Sequence, residues 1–207
     1  MPALEALLAL LAPPRCACCC GSCGLGNQLC TACLARLEAT RSPPRPFLPS
    51  LDSAWTAFPY EGAARELVVA LKFRSLLPVA GLIAELIAER APREVLAGTL
   101  VPVPAASSRM RRRGFDPAEE IAERLMAVSG QPFAACLDRA DGPRQVGRRR
   151  AARLADPPRV RAIAPAPPIV VLVDDVQTTG ATLSACARAL RLAGAERVSA
   201  VTFARTM

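Results

Sequence analysis

Val170-Val171-Leu172-Val173-Asp174-Asp175-Val176-Gln177-Thr178-Thr179-Gly180-Ala181-Thr182-Leu183 is the stretch that decides the fold. The branched apolar run Ile169–Val173 predicts a strand buried on both faces. It is expected to end in two adjacent carboxylates, Asp174 and Asp175, followed by a hydroxyl-rich turn. Leu183, Cys186, Ala187 and Leu190 then recur at helical spacing, with Gly194 placed for the helix C-terminus. Strand, loop, helix puts a donor-rich loop at a helix N-terminus and at the carboxyl end of a parallel strand. Backbone N–H groups and the helix dipole favour a phosphate there, at the edge where open α/β sheets bind ligands. Asp174 and Asp175 suit the vicinal hydroxyls of a ribose, or a metal ion. An ordinary turn after a buried strand needs neither paired acids nor three threonines.

These residues resemble the phosphoribosyl diphosphate (PRPP) motif of type I phosphoribosyltransferases: four apolar residues, two acids, two mostly apolar residues, then Thr/Ser-Thr-Gly-Gly/Ala-Thr. Gln177 departs from it at a usually apolar position.

The rest of the chain bounds the function. At 207 residues and 52% apolar it has room for one domain with an appendage and a packed core. No apolar run is long enough to span a membrane. Met1–Ala12 is apolar but lacks a basic start and is interrupted by Glu5, so it reads as a short amphipathic helix rather than a signal peptide. The chain is therefore expected to be cytoplasmic. There is no histidine, which excludes Ser-His-Asp and Cys-His catalysis and any His-ligated metal. Cations number 26, and Lys72 is the only lysine. Residues 109–161 carry 13 arginines against 7 acids, hence +6 of the net +8. A patch of that sign attracts phosphate, on a small molecule or on nucleic acid.

Seven of nine cysteines fall within residues 13–33. Cys30 and Cys33 make one two-residue-spaced thiolate pair. The second pair is Cys16 with Cys19 or Cys20 with Cys23. Two such pairs across a short loop make a tetrahedral four-thiolate zinc site, expected as Cys16, Cys19, Cys30 and Cys33. Disulfides and an iron–sulfur cluster are the rival uses. Cys186 falls on the apolar face of its helix and reads as core.

In order, a short helix Leu34–Glu38 precedes a proline-rich linker, residues 41–53. Trp55–Tyr60 reads as a strand. Ala63–Arg74 and Leu77–Arg90 read as helices, the second ended by Pro92. Lys72 reads as a solvated helix residue or as one near the ligand. Thr99–Val103 is a second buried strand, opening into a polybasic loop, Ser107–Asp116, where guanidinium forks suit a diphosphate. Asp116 and Pro117 start a helix, Ala118–Val128, with Ile121, Leu125 and Val128 on one face. Residues 138–155 read as a basic loop able to close over a polyanion, and 157–168 as a proline-rich lead into the strand at Ile169. Arg197–Phe203 is a further strand.

The ordered set of short motifs resembles the ComF family over nearly the whole chain. It runs from Pro13-Pro14-Arg15-Cys16 through Tyr60-Glu61-Gly62, Leu71-Lys72-Phe73, Val101-Pro102-Val103-Pro104 and Arg112-Arg113-Gly114-Phe115. It continues to Gln145 with Arg153, and to Asp174–Thr182. The resemblance implies an α/β, type I phosphoribosyltransferase-like domain at residues 54–207, a parallel sheet with helices on both faces. It also implies a small N-terminal zinc module at residues 1–40. Thr178, Thr179, Gly180, Ala181 and Thr182 would cradle the 5-phosphate of PRPP, and Asp174 and Asp175 the ribose hydroxyls. Arg112, Arg113 and Lys72 would meet the diphosphate, with Mg2+ held by that diphosphate. A role in natural competence is implied too, with single-stranded DNA and a DNA-import helicase as partners. Asp116 and Asp156 stand where the family usually has Asn, adding negative charge beside the expected polyanion site.

Overall fold

The computed structural model describes residues 14–45, 47–139 and 159–206. The expected N-terminal amphipathic helix lies outside the described residues, as do most of the basic loop, Gln145, Arg153 and Asp156. The elements are α1 (Thr31–Glu38), β1 (Ser53–Pro59), α2 (Gly62–Arg74), α3 (Pro78–Arg90), α4 (Arg93–Leu96), β2 (Thr99–Pro102), α5 (Ser107–Arg113), α6 (Pro117–Ser129), β3 (Leu137–Arg139), β4 (Val160–Ala162), β5 (Ile169–Gln177), α7 (Ala181–Leu192) and β6 (Arg197–Arg205).

Four strands form a parallel sheet in the order β1-β6-β5-β2. Branched apolar residues on the inner strands alternate between two faces, and each face has its own core. Val171, Val173, Val201 and Phe203 pack with Leu67 and Leu71 of α2, Ile83 and Ile87 of α3, and Ile121 and Leu125 of α6. Val170, Leu172, Val198 and Ala200 pack with Leu183, Cys186 and Leu190 of α7. Cys186 is buried core as expected, and burial, with the Asp174 charge, pushes its thiol up to about 12. Helices therefore cover both faces, as the sequence predicts. Strands β3 and β4 form a separate antiparallel pair. Among the described residues no helix is long and apolar enough to cross a membrane.

Four local expectations change. Strand β5 does not stop at the carboxylates. Its ladder with β6 continues through Asp174↔Thr202 and Val176↔Ala204 to Gln177↔Arg205. The polybasic stretch is the helix α5 rather than a loop, since arginine and methionine are good helix formers. Gly114, at φ +82°, ends it in the left-handed conformation. Val128 is not on the buried face of α6: it is 49% exposed, whereas Ile121 and Leu125 are fully buried. The proline-rich approach to β5 contains β4, paired to β3 from Leu137↔Ala162 to Arg139↔Val160.

The N-terminal segment shares the first core. Cys16, Ala17, Leu29, Cys33 and Leu37 pack in the same cluster as α2 and α3. Arg90 donates to the carbonyls of Thr40 (2.9 Å) and Glu38 (2.7 Å), its guanidinium 4.3 Å from the Phe58 ring centre. The proline-rich stretch lies along the body. Ser42 Oγ donates to Ala57 O (2.9 Å), and Asp52 Oδ2 accepts from the N–H of Val198 and from Arg191 (both 2.7 Å).

Candidate functional site

The carboxyl ends of β2 and β5 open into a cavity of about 550 Å³. Register explains the opening. Pro102, the last residue of β2, sits opposite Val173, so β5 runs on past its neighbour and carries Asp174 and Asp175 to the rim. Lys72 and Phe73 enter from the last turn of α2, Arg109, Arg112 and Arg113 from α5, and Thr178 and Thr182 from the turn into α7. Of the residues expected at a site, Asp174, Asp175, Thr178, Thr182, Arg112, Arg113 and Lys72 thus line one cleft. Thr179, Gly180 and Ala181 complete the turn behind it without lining the cavity.

The two carboxylates are not equivalent. Asp175 is buried, and its Oδ2 lies 2.6 Å from Lys72 Nζ. This is a close ion pair. Lys72, which the sequence reads as solvated or near the ligand, is paired with Asp175. Asp174 keeps some surface on the cavity, and its Oδ1 accepts the N–H of Asp175 at 2.9 Å. Close packing strips its water and Asp175 adds like charge. Its carboxyl is thereby pushed well above the usual carboxylate range, against the opposing pull of Lys72.

The turn before α7 needs glycine. Gly180 is the N-cap at φ +76°, and a Cβ there would meet Leu48 Cδ2 at 2.5 Å. Thr178 and Thr179 are exposed, and Thr179 Oγ1 accepts the Ala181 N–H at 3.4 Å. Thr182, in the first turn of the twelve-residue α7, lines the cavity, so the N-terminal end of that helix borders it.

The opposite wall is α5, which buries no residue. Arg113 sits 5.7 Å from the Phe73 ring centre. Partial burial lowers its basicity, while Asp175 and Asp116 hold it up. Asp116 caps α6 as expected, its Oδ1 accepting the Ala118 N–H at 3.0 Å; its Oδ2 accepts the Ala105 N–H at 2.7 Å. Burial raises its carboxyl and these two N–H groups lower it, with the rise prevailing. Both oxygens are thus turned to backbone.

Arg109 and Arg139, from the two basic stretches expected near a polyanion, also line the cavity, as do Tyr60 and Phe73, which the sequence does not mark as site residues. Phe73 had a signal. It follows the buried stripe Leu67, Val68, Ala70 and Leu71 yet falls off it, and it is 62% exposed, costly for a phenylalanine without a partner.

Away from the cleft, the sulfur atoms of Cys16, Cys19, Cys30 and Cys33 all lie within 4.8 Å of one another. Cys19 and Cys30 Sγ are 3.7 Å apart. Four thiolates at tetrahedral zinc, each about 2.3 Å from the ion, stand roughly 3.8 Å apart. The chain reversal that makes this knuckle pairs Arg15 with Ser22, and Cys16 N–H with Gly21 O. It decides between the two cysteine pairs. Cys20 is exposed at φ +60°, and Cys23 Sγ donates to Asn27 O. Burial would raise the Cys16 thiol, but N–H groups of Cys19, Cys30 and Cys18 carry it down to about 6. Burial and neighbouring thiols raise Cys33. These four cysteines can hold one metal ion.

A family model described as the phosphoribosyl transferase domain matches residues 74–207. Among solved structures, an allosteric regulatory enzyme of purine biosynthesis is 23% identical, covering 59% of this chain and 24% of that one, at TM-score 0.39. A hypoxanthine phosphoribosyltransferase from Staphylococcus aureus is 11% identical over 59% of this chain and 61% of that one, at TM-score 0.32. The chain spans less than two thirds of either neighbour's length. No curated protein matches it. With well over half of its residues matched by that family model, including both carboxylates and the turn into α7, the chain belongs to the phosphoribosyl transferase domain family.

Proposed function

We propose that the cleft binds PRPP and transfers its phosphoribosyl group. One observation carries this reading: a single cavity joins a carboxylate pair, a glycine-capped helix N-terminus and an arginine wall. The turn Thr178–Thr182 would hold the 5-phosphate through N–H and hydroxyl donors. Asp174, open to the cavity, would accept the O–H groups of the ribose. Arg112 and Arg113 would take the diphosphate in guanidinium forks. Breaking the C1–oxygen bond leaves positive charge on the ribose and negative charge on the departing diphosphate. Fixed charges on the two sides of C1 stabilise both. Asp175 is engaged by Lys72, so the donor set suits a hydrated magnesium ion carried by the diphosphate better than an all-protein site. Such an ion, when bound, neutralises charge on the leaving group. In the N-terminal knuckle, zinc fits the donor set and the sulfur spacing, and its role there would be structural.

The test is calorimetric titration of PRPP, with and without Mg2+, into wild type and Asp174→Ala/Asp175→Ala. Magnesium-dependent binding lost in the double variant supports the reading; no binding by folded, zinc-loaded wild type ends it.

A second reading is favoured by α5, a helix whose four arginines accompany no buried residue. The cleft would grip the 5-phosphate of single-stranded DNA without catalysis, in keeping with the ComF-like role in DNA uptake beside a helicase. Affinity for a 5-phosphorylated oligonucleotide would then fall steeply with salt and vanish in Arg112→Ala/Arg113→Ala.

A further inference from the structure

The arginine wall has an unusual attachment. Helix α5 contributes nothing to either core. The segments that flank it fix where its arginines stand over the cavity, and Arg113 also rests 5.7 Å from the Phe73 ring centre. Both flanks meet at one side chain. Asp116, 8% exposed, accepts the Ala105 N–H before α5 with Oδ2 and the Ala118 N–H after it with Oδ1. Pro117 fixes the backbone between the acceptor and the second donor. The carboxylate therefore ties together the two ends of residues 106–115, the segment that carries Arg109, Arg111, Arg112 and Arg113.

We infer that Asp116 is a positioning residue: its two-ended backbone tether sets where Arg112 and Arg113 stand over the cavity. Asp116 lines the cavity, but both of its oxygens are taken up by backbone N–H groups. An ordinary helix cap needs only one of these bonds. The second spans the arginine segment, and only a carboxylate supplies two acceptor oxygens in that geometry. Asn is nearly isosteric and caps a helix as well as Asp does. It has one acceptor oxygen, so its amide N–H2 would confront a backbone N–H. Asp116→Asn therefore keeps the cap and breaks the tether.

The consequence for ligand binding rests on the PRPP reading above; the tether itself does not, and the experiment separates them. Amide exchange across residues 105–115 and calorimetric PRPP titration are run on full-length, zinc-loaded wild type and Asp116→Asn, with Asp116→Ser as a second cap-preserving variant. Each is also combined with Arg112→Ala/Arg113→Ala. Exchange across 105–115 is expected to rise about tenfold in Asp116→Asn while α7 stays protected. PRPP affinity should fall about tenfold, the worth of one charge-assisted hydrogen bond. Removing the arginines should then cost little more, because a displaced guanidinium no longer contributes. Unchanged exchange in both variants overturns the tether. Losses that multiply with the arginine substitutions overturn the positioning role. If wild type binds no PRPP, the functional reading falls and the exchange result alone decides for or against the tether.

Discussion

Lys72 Nζ lies 2.6 Å from Asp175 Oδ2, a pair whose side chains are 23% and 6% exposed. It joins the last turn of α2 to the end of β5 at the floor of the cavity. A mostly buried pair gains little over an apolar replacement, but losing one member strands the other. Lys72→Met should therefore cost roughly 2–3 kcal/mol, reduced from the fully buried case because water reaches the lysine. Lys72→Met/Asp175→Asn should recover most of that. Urea unfolding of the four proteins gives the cycle. A Lys72→Met variant as stable as wild type would show that the contact contributes nothing.

Asp174 gives the pH signature. Its folded carboxyl is held well above the ordinary 3.8, first by burial and then by Asp175. The folded state thus binds this proton more tightly than the unfolded chain. Its contribution is fully present below about pH 4 and is lost as pH rises through the raised folded value. Asp174→Asn removes that loss. The variant should gain stability relative to wild type as pH rises from 4 to 8, and the two curves should converge at the acid end. Urea midpoints at three pH values test it, and parallel curves would sink the assignment.

The sheet was legible because Val170–Val173 is an apolar run and Val198, Ala200, Val201 and Phe203 make the later strand mostly apolar. What the sequence hid depends on partners distant in the chain. The extension of β5 to Gln177 exists because β6 reaches Arg205, and no pattern within β5 announces it. Gln177 read as a misfit at an apolar position. It is buried, and its Oε1 has no hydrogen-bond partner among the described residues. Helix α5 has no apolar period and buries no residue, so no pattern within it announces a helix; Gly114 ends it. The stripe of α2 put Lys72 off the core, but its partner lies on a strand late in the chain. Cys16/Cys19 and Cys20/Cys23 share one spacing, and only the reversal at Arg15–Ser22 tells them apart.

That reversal yields a metal prediction. Purified protein should carry one zinc, retained in Cys20→Ser/Cys23→Ser and lost in Cys16→Ser/Cys19→Ser. Cys33 must lose its proton to ligate while its thiol is held up by burial, so zinc uptake should release protons and weaken as pH falls. Metal analysis with a chelator titration at two pH values checks both. Loss of zinc from the Cys20/Cys23 variant would move the site. Because Cys16, Cys33 and Leu37 share the core of α2 and α3, chelation should also lower the melting temperature of the whole protein.

Gly180 can be asked which of two constraints selects it. It sits at φ +76°, where an L side chain costs about 1–2 kcal/mol. Its missing Cβ also lies 2.5 Å from Leu48 Cδ2, in the proline-rich stretch. The second constraint looks severe as a distance but weak as an energy. Leu48 is only partly buried, and the atom in the way is the rotatable end of its side chain, which can turn aside. The backbone strain has no such relief, since α7 begins at the next residue and fixes the turn. Gly180→Ala should therefore lose about 1–2 kcal/mol, and Leu48→Ala should recover only a small part of it. Gly180→Asn, whose side chain tolerates the left-handed region, should lose less despite being larger. Thermal unfolding of these variants decides it. Full rescue by Leu48→Ala would mean that the proline-rich stretch, rather than the conformation of the turn before α7, dictates glycine here.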